Sequence, residues 1–220
     1  MKKIREMQTK EKHVFSPEGY PVLLYSFLLM LALYLMCPYA GMMALLWFVF
    51  CLYFFRNPKR QQPEKNNVVV SPADDTVIRI EDVEEKNFLN KKMKMVSVFM
   101  SPFNVHVNRM PITGTIKNVA HIKGRFKAAF ADDAPEKNER SATHLQTKDQ
   151  KDIVMVQVAG WFARRIFNYL ASGDHYEQGK IFGVIKFGSR VDLYLPEDYT
   201  VTVNLKQKVK AGLTELGRKQ

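Results

Sequence analysis

Residues 180–205, KIFGVIKFGSRVDLYLPEDYTVTVNL, decide the fold of the charged part of this chain. The segment 180–186 is short and rich in β-branched and aromatic side chains. Segments 191–195 (VDLYL) and 200–205 (TVTVNL) alternate with period two, the spacing of a strand with one face in a core. Working outward, residues 68–70, 76–80, 94–99, 114–119 and 153–158 read the same way. Residues 161–170, lying between Gly160 and Ser172-Gly173-Asp174, predict the one helix of this part. There is no βαβ rhythm, Gly-rich phosphate loop or internal repeat. The fold expected is mainly β (α+β), over residues 66–220.

The first quarter is different. No charged side chain occurs from residue 21 to 55. Residues 22–36 (VLLYSFLLMLALYLM) and 42–55 (MMALLWFVFCLYFF) flank Cys37-Pro38-Tyr39-Ala40-Gly41, where Pro and Gly punctuate the run. A transmembrane hairpin of two helices is expected over 21–55, after a tail at 1–20. A single tilted span or a re-entrant hairpin is the alternative, because each half is short of the roughly 20 residues a crossing needs. Lys2, Lys3, Arg5, Lys10 and Lys12 precede the run and Arg56, Lys59 and Arg60 follow it, which places both ends in the cytoplasm by the positive-inside rule. Residues 56–65 (RNPKRQQPEK) read as the linker.

The net charge of +11 calls for an anionic partner. Beside an apolar hairpin that partner is a membrane surface, where each Lys or Arg contributes about 1 kcal/mol; the basic residues form no nucleic-acid motif. The two cysteines, Cys37 and Cys51, both lie in the apolar run, so a disulfide framework is excluded, and no Cys/His cluster has zinc spacing. No metal is expected.

Three segments carry candidate chemistry: Ser71-Pro72-Ala73-Asp74-Asp75, Asn104-Val105-His106-Val107-Asn108-Arg109-Met110-Pro111, and Lys186-Phe187-Gly188-Ser189-Arg190. Each sets a reactive side chain at a turn beside a strand. Taken singly, they are an Asx-type turn, a lone histidine and a Gly-Ser bulge. In order, they join Phe54-Phe55-Arg56-Asn57-Pro58, Gly124-Arg125-Phe126, Asn138-Glu139-Arg140, Gln157-Val158-Ala159-Gly160 and Ala163-Arg164-Arg165-Ile166 in a series running from Phe54 to Ser189. That series resembles the short bacterial and archaeal form of the phosphatidylserine decarboxylase proenzymes.

The resemblance implies a barrel-sandwich-like β domain that cuts itself between Gly188 and Ser189 into a β chain, 1–188, and an α chain, 189–220, which remain together as a heterodimer; a higher oligomer is compatible with it. Ser189 would attack the Gly188 carbonyl, and after elimination and loss of ammonia position 189 would carry a pyruvoyl group, the only cofactor. That group would form a Schiff base with phosphatidylserine drawn from the inner membrane, and release CO2 and phosphatidylethanolamine. A serine hydroxyl needs a base and a group to orient it; His106 is the expected base and Asp74 the orienting carboxylate. Arg109, Arg164 and Arg165 are candidate headgroup binders, since guanidinium suits phosphate.

Departures from the family pattern leave choices open. Longer members have two histidines before the Met-Pro pair; here Arg109 occupies the second place, so either His106 does both jobs or another histidine such as His144 helps. Asp75 stands where glycine is common, which leaves the choice of orienting carboxylate open. The tail 206–216 resembles a lipoyl-type hairpin but has no attachment lysine. Two other readings are a decarboxylase of a related amino-acid lipid and an uncut, membrane-tethered lipid-binding β domain.

Overall fold

The computed structural model describes residues 13–60, 67–125, 137–160, 165–186 and 188–220. The chain divides into two compact units, Met1–Lys59 and Arg60–Gln220.

In the first unit a short 3-10 turn, Pro17–Gly19, leads into helix α1 (Tyr20–Met36) and then α2 (Pro38–Phe54). Both helices carry proline in their first turn, where the missing N–H has no helical partner to lose. The break is therefore tighter than residues 37–41 suggested. Cys37 alone is extended, and Pro38 through Gly41 already belong to α2. Gly41 sits against the other helix: a Cβ there would lie 2.5 Å from Tyr34 Cα. Trp47 Nε1 donates to Ser26 Oγ across the pair at 3.2 Å. Leu28, Leu35, Met43 and Leu46 are exposed, so the helices carry apolar side chains on their outward faces as well. The stretch Pro17–Met36 is long and apolar enough to cross a membrane, whereas Pro38–Phe54 is a shorter apolar helix. The base of the pair is closed by backbone contacts, Asn57 N–H to Val14 O at 2.7 Å and Ser16 N–H to Phe55 O at 2.8 Å.

The second unit is built from β1 (Val68–Val70), β2 (Asp75–Glu85), β3 (Lys91–Met100), β4 (Val107–Arg109), β5 (Gly114–Ile122), β6 (Arg140–Gln146), β7 (Asp152–Ala159), β8 (Ile166–Asn168), β9 (His175–Tyr176), β10 (Ile181–Ile185), β11 (Ser189–Leu195), β12 (Tyr199–Val201), β13 (Lys208–Val209) and β14 (Glu215–Lys219). Eight of them form a curled half-barrel in the order β13-β2-β3-β11-β7-β6-β5-β9. Two three-stranded sheets, β4-β10-β8 and β1-β14-β12, complete the unit. The pairings of these strands are antiparallel, which is why no crossover helix was needed in the sequence. The mainly β expectation holds.

Three local expectations change. The helix expected over 161–170 is not there in the part described: Ile166–Asn168 is strand β8, paired with β10, while 161–164 lie outside the described residues. The β-branched and aromatic Ile166 and Phe167 suit that edge, and Asn168 Nδ2 bonds Ser141 Oγ and Thr143 Oγ1, both at 3.0 Å. The alternation at 200–205 runs as strand only to Val201; Lys206, with φ of 66°, turns the chain, and its N–H donates to Val77 O at 2.8 Å. The tail is no hairpin either, because β13 pairs with β2 and β14 pairs with β1 and β12.

Replacing Gly41 with valine should push α1 and α2 apart, since its Cβ meets backbone and not a movable side-chain tip. The expected result is a loss of about 1–3 kcal/mol, the usual cost of overpacking, read as a lower midpoint of detergent-denatured unfolding. An unchanged midpoint would count against this close approach.

Candidate active site

Strand register places the site. Ser189 opens β11 opposite Met100 at the end of β3, and on its other side opposite Ala159 at the end of β7. In the neighbouring small sheet, Val107 of β4 lies opposite Val184 of β10. Residues 101–106, and the ends of β10 and β11 at Ile185 and Ser189, thus mark two crossings between the same two sheets, pinned side by side at both ends. Ile185 N–H donates to His106 O at 3.3 Å within this crossing. The Gly188–Ser189 bond lies where the chain leaves one sheet for the other. Gly188 turns that corner with φ of 64°, a conformation that costs glycine little.

His106 is buried at the same corner. Its Nδ1 is 2.9 Å from Asn104 O, and since a carbonyl only accepts, Nδ1 carries the proton. Its Nε2 lone pair accepts the Gly188 N–H at 3.3 Å. Two backbone groups therefore fix the ring with an Nε2 lone pair facing Gly188.

The support behind the ring runs to Asp75. Asn104 Nδ2 donates to Ser101 Oγ at 3.0 Å, and Ser101 N–H donates to Asp75 Oδ2 at 3.0 Å. Asp75 has φ of 111°, backbone that glycine would adopt more easily. Its carboxylate holds it there, accepting also from Thr76 Oγ1 at 2.8 Å and from Lys208 Nζ. Burial alone would raise its pKa, but the hydrogen bonds from Lys208, Ser101 and Thr76 outweigh it and hold the pKa at about 2.

Asp74 faces elsewhere. Arg60 grips it with two bonds, at 2.5 and 2.7 Å, and Ala211 N–H donates to its Oδ1 at 2.7 Å. Arg60 also donates to Ala211 O at 2.8 Å. Ser71 adds a backbone pair, giving its N–H to Thr214 O and accepting from Gly212 N–H, both at 2.8 Å. The Ser71–Asp74 turn is thus a clamp on residues 211–214, and the described bonds of Asp74 do not include His106.

Ser189 itself is fully buried, and its Oγ has no hydrogen-bond partner. Gln157 stands one residue pair away on the same face of the sheet, opposite Val191. Its Nε2 donates to Asn108 Oδ1 at 2.8 Å, while its Oε1 has no partner. An orphan buried polar atom costs about 1–3 kcal/mol, so two on one patch call for an explanation.

The protein-family comparison matches residues 47–216 to the phosphatidylserine decarboxylase family. Phosphatidylserine decarboxylase proenzymes of Syntrophus aciditrophicus and Cytophaga hutchinsonii are similar to it. The first is 43% identical over 169 residues, covering 77% of this chain and 79% of the relative. The second is 41% identical over 208 residues, covering 90% and 94%. A third proenzyme, from Nitratidesulfovibrio vulgaris, is 42% identical over 205 residues, covering 93% and 94%. The chain belongs to the phosphatidylserine decarboxylase family.

Within that family frame, the expected site residues separate. Gly188, Ser189 and His106 come together. Arg109 is buried and donates to Gly179 O at 2.9 Å, with its Cδ packed where a Cβ on Gly212 would fall. Arg165 is exposed beside the corner, its carbonyl accepting from Lys186 N–H at 3.4 Å, and Arg164 lies outside the described residues. His144 is ruled out as a partner for Ser189. It pairs with Asp152 at 2.9 Å, and it sits in the row of Tyr194, five residues along β11, about 17 Å at strand rise. Sequence reasoning missed Gln157 and Asn108 as site residues, although both lie in its motifs. An amide in a strand otherwise apolar was the available signal. No group of three or more His, Cys, Asp or Glu suited to a metal occurs among the described residues.

Asp75 gives a pH test. With a folded pKa of about 2 against an ordinary 3.8, its contribution is fully present above about pH 4 and is lost as pH falls through 2. Asp75→Asn should therefore lower the melting midpoint at pH 7, and the gap to wild type should close between pH 4 and 2. A gap that stays constant over that range would contradict the assignment.

Proposed function

We propose that this chain is a self-processing, pyruvoyl-dependent phosphatidylserine decarboxylase that converts phosphatidylserine to phosphatidylethanolamine and CO2. The observation that carries the reading is the buried, partnerless Ser189 Oγ on the far side of a positive-φ glycine that donates to His106 Nε2.

In this reading His106 Nε2 takes the Ser189 hydroxyl proton as Oγ attacks the Gly188 carbonyl carbon. The new C–O bond forms as the C–N bond breaks, and the proton goes to the freed Ser189 nitrogen. Removal of the Ser189 Cα proton then breaks Cβ–Oγ, releasing Gly188 as a carboxylate. Water replaces the nitrogen of the remaining dehydroalanine as ammonia, leaving a ketone. The residues present fit such a group: position 189 is fully buried and is held in a central strand, and Gln157 Oε1 on its own face is left to accept from the substrate amine.

The pyruvoyl group supplies an electron sink for the pair released as the substrate carboxylate departs. The chain's own residues do the rest. Nδ1 of His106, tied to Asn104 O, keeps Nε2 aimed at the reacting residue, and the same nitrogen is placed to return a proton to the product. Gln157 Oε1 accepts from an N–H or O–H of the reacting groups. Arg165, exposed beside the corner, meets the headgroup phosphate. The Ser71–Asp74 clamp keeps the α chain attached after the cut. The apolar helix pair sets the unit at the inner membrane with its catalytic part in the cytoplasm, where the lipid substrate is.

Intact-mass analysis of the purified protein should give two fragments, 1–188 and 189–220, the second with a blocked N-terminus. Ser189→Ala should remain one full-length chain and release no CO2 from phosphatidylserine. His106→Ala should slow cutting by at least about 10²-fold, the scale of a lost general base. A full-mass wild-type chain isolated from cells with decarboxylase activity would sink the proposal. If the chain is cut but acts on a different aminoacyl lipid, only the substrate part fails.

A further inference from the structure

The other face of the same sheet carries a second polar site that the decarboxylase reading does not use. Consecutive strand residues point to opposite faces, so Arg190 projects away from the Ser189 side. It is fully buried, and its Nε and Nη2 are bonded to Asp192 at 2.5 and 2.9 Å. Its Nη1 is buried with no partner. Ser97, which lies opposite Asp192 on that face, also has a partnerless Oγ.

Register gathers further cations around this point. Arg140 and Arg190 share one cross-strand row through Val158, while Arg79 shares the adjoining row with Ser97 and Asp192. Arg79 and Arg140 thus flank Arg190 from two strands away on either side, roughly 10 Å at normal strand spacing. That is within reach of long guanidinium side chains. All three line one cleft of about 600 Å³, with Tyr194 and Met95 in its wall and Lys86 at its edge. Glu81 and Glu84 also line it, but both are exposed, whereas Arg190 stands at its buried end.

We propose that this cleft binds a phosphate-class oxyanion, with Arg190 Nη1 as the buried donor and Arg79 and Arg140 closing on the remaining oxygens. A buried guanidinium N–H without an acceptor is costly, and an anion restores the missing bond with charge assistance. Asp192 already neutralises part of Arg190. The rest of the lining sets Arg79, Lys86 and Arg140 against Glu81 and Glu84, an excess of positive charge that favours an anion over a neutral ligand. The oxyanion can be free phosphate or the phosphate of an anionic lipid headgroup. The site lies across the sheet from Ser189 and does not depend on the decarboxylase reading.

The test uses the full chain in nanodiscs and reads the melting midpoint as inorganic phosphate is added, with sodium chloride at matched ionic strength as the comparison. In phosphatidylcholine discs, a saturable rise with phosphate and none with chloride is expected. Arg79→Gln with Arg140→Gln should weaken the apparent affinity at least tenfold. Arg218→Gln, an exposed arginine paired with Glu215, should leave it unchanged. Discs containing phosphatidylglycerol separate the sources. A phosphate response abolished there identifies the lipid headgroup as occupant, and one that persists identifies free phosphate. Equal responses to phosphate and chloride, or equal responses in wild type and the double variant, overturn the proposal. Should the double variant unfold, 31P line broadening of phosphate by the wild-type chain, against the Arg218→Gln protein, decides it: no broadening in either overturns it.

Discussion

The structure depends on β11 being paired on both sides. Its seven residues are matched one for one to β3, and six of them also to β7, so the strand has no freedom to slide. A slip of one residue would exchange the two faces, turning Arg190 toward the corner and Ser189 toward the cleft. Register thus fixes the chemistry of both faces at once. The Ser189 side is kept dry and partnerless, and the Arg190 side is kept charged.

The same pairing bears on the cut proposed before Ser189. If the chain is cleaved after Gly188, residues 189–220 have no covalent tie to the remainder. They contribute the central strand of the large sheet, its edge strand β13, and two of the three strands of the β1-β14-β12 sheet. Added to this are the Arg60–Asp74 grip on Ala211 and the backbone exchange between Ser71 and residues 212–214. A fragment so interleaved cannot leave without unravelling the core. Cleavage at this place therefore changes the chemistry of residue 189 without asking the fold to reorganise.

Much of this was legible in the sequence, and what was not has physical causes. Short β-branched runs located β1, β2, β3, β5, β7, β10 and β11, because a short run of apolar, β-branched residues is a local signal, and β1, β10 and β11 are buried along their whole length. Strand β8 was read as helix, since an edge strand leaves little pattern and its identity comes from β10 beside it. The corner was legible only in pieces. His106 and Gly188 are 82 positions apart, and it is the matched ends of two crossing connections that bring them together. The motif singles out Asp74 and leaves Asp75 as the alternative, and the two carboxylates have different partners. Asp74 is occupied by Arg60 and Ala211, while Asp75 reaches the histidine loop through Ser101.

Asp75 also shows why a residue that breaks a local rule can be informative. Its φ of 111° is strained for any side chain, at about 1–3 kcal/mol, and glycine would remove that cost. Yet glycine would leave Ser101 N–H, and hence the loop carrying Asn104, without its anchor. The carboxylate sets the loop, the loop sets the Asn104 carbonyl, and the carbonyl sets the tautomer of His106. Strain at one backbone position is thereby exchanged for the orientation of a nitrogen lone pair, the property that the proposed role of His106 as a base needs most.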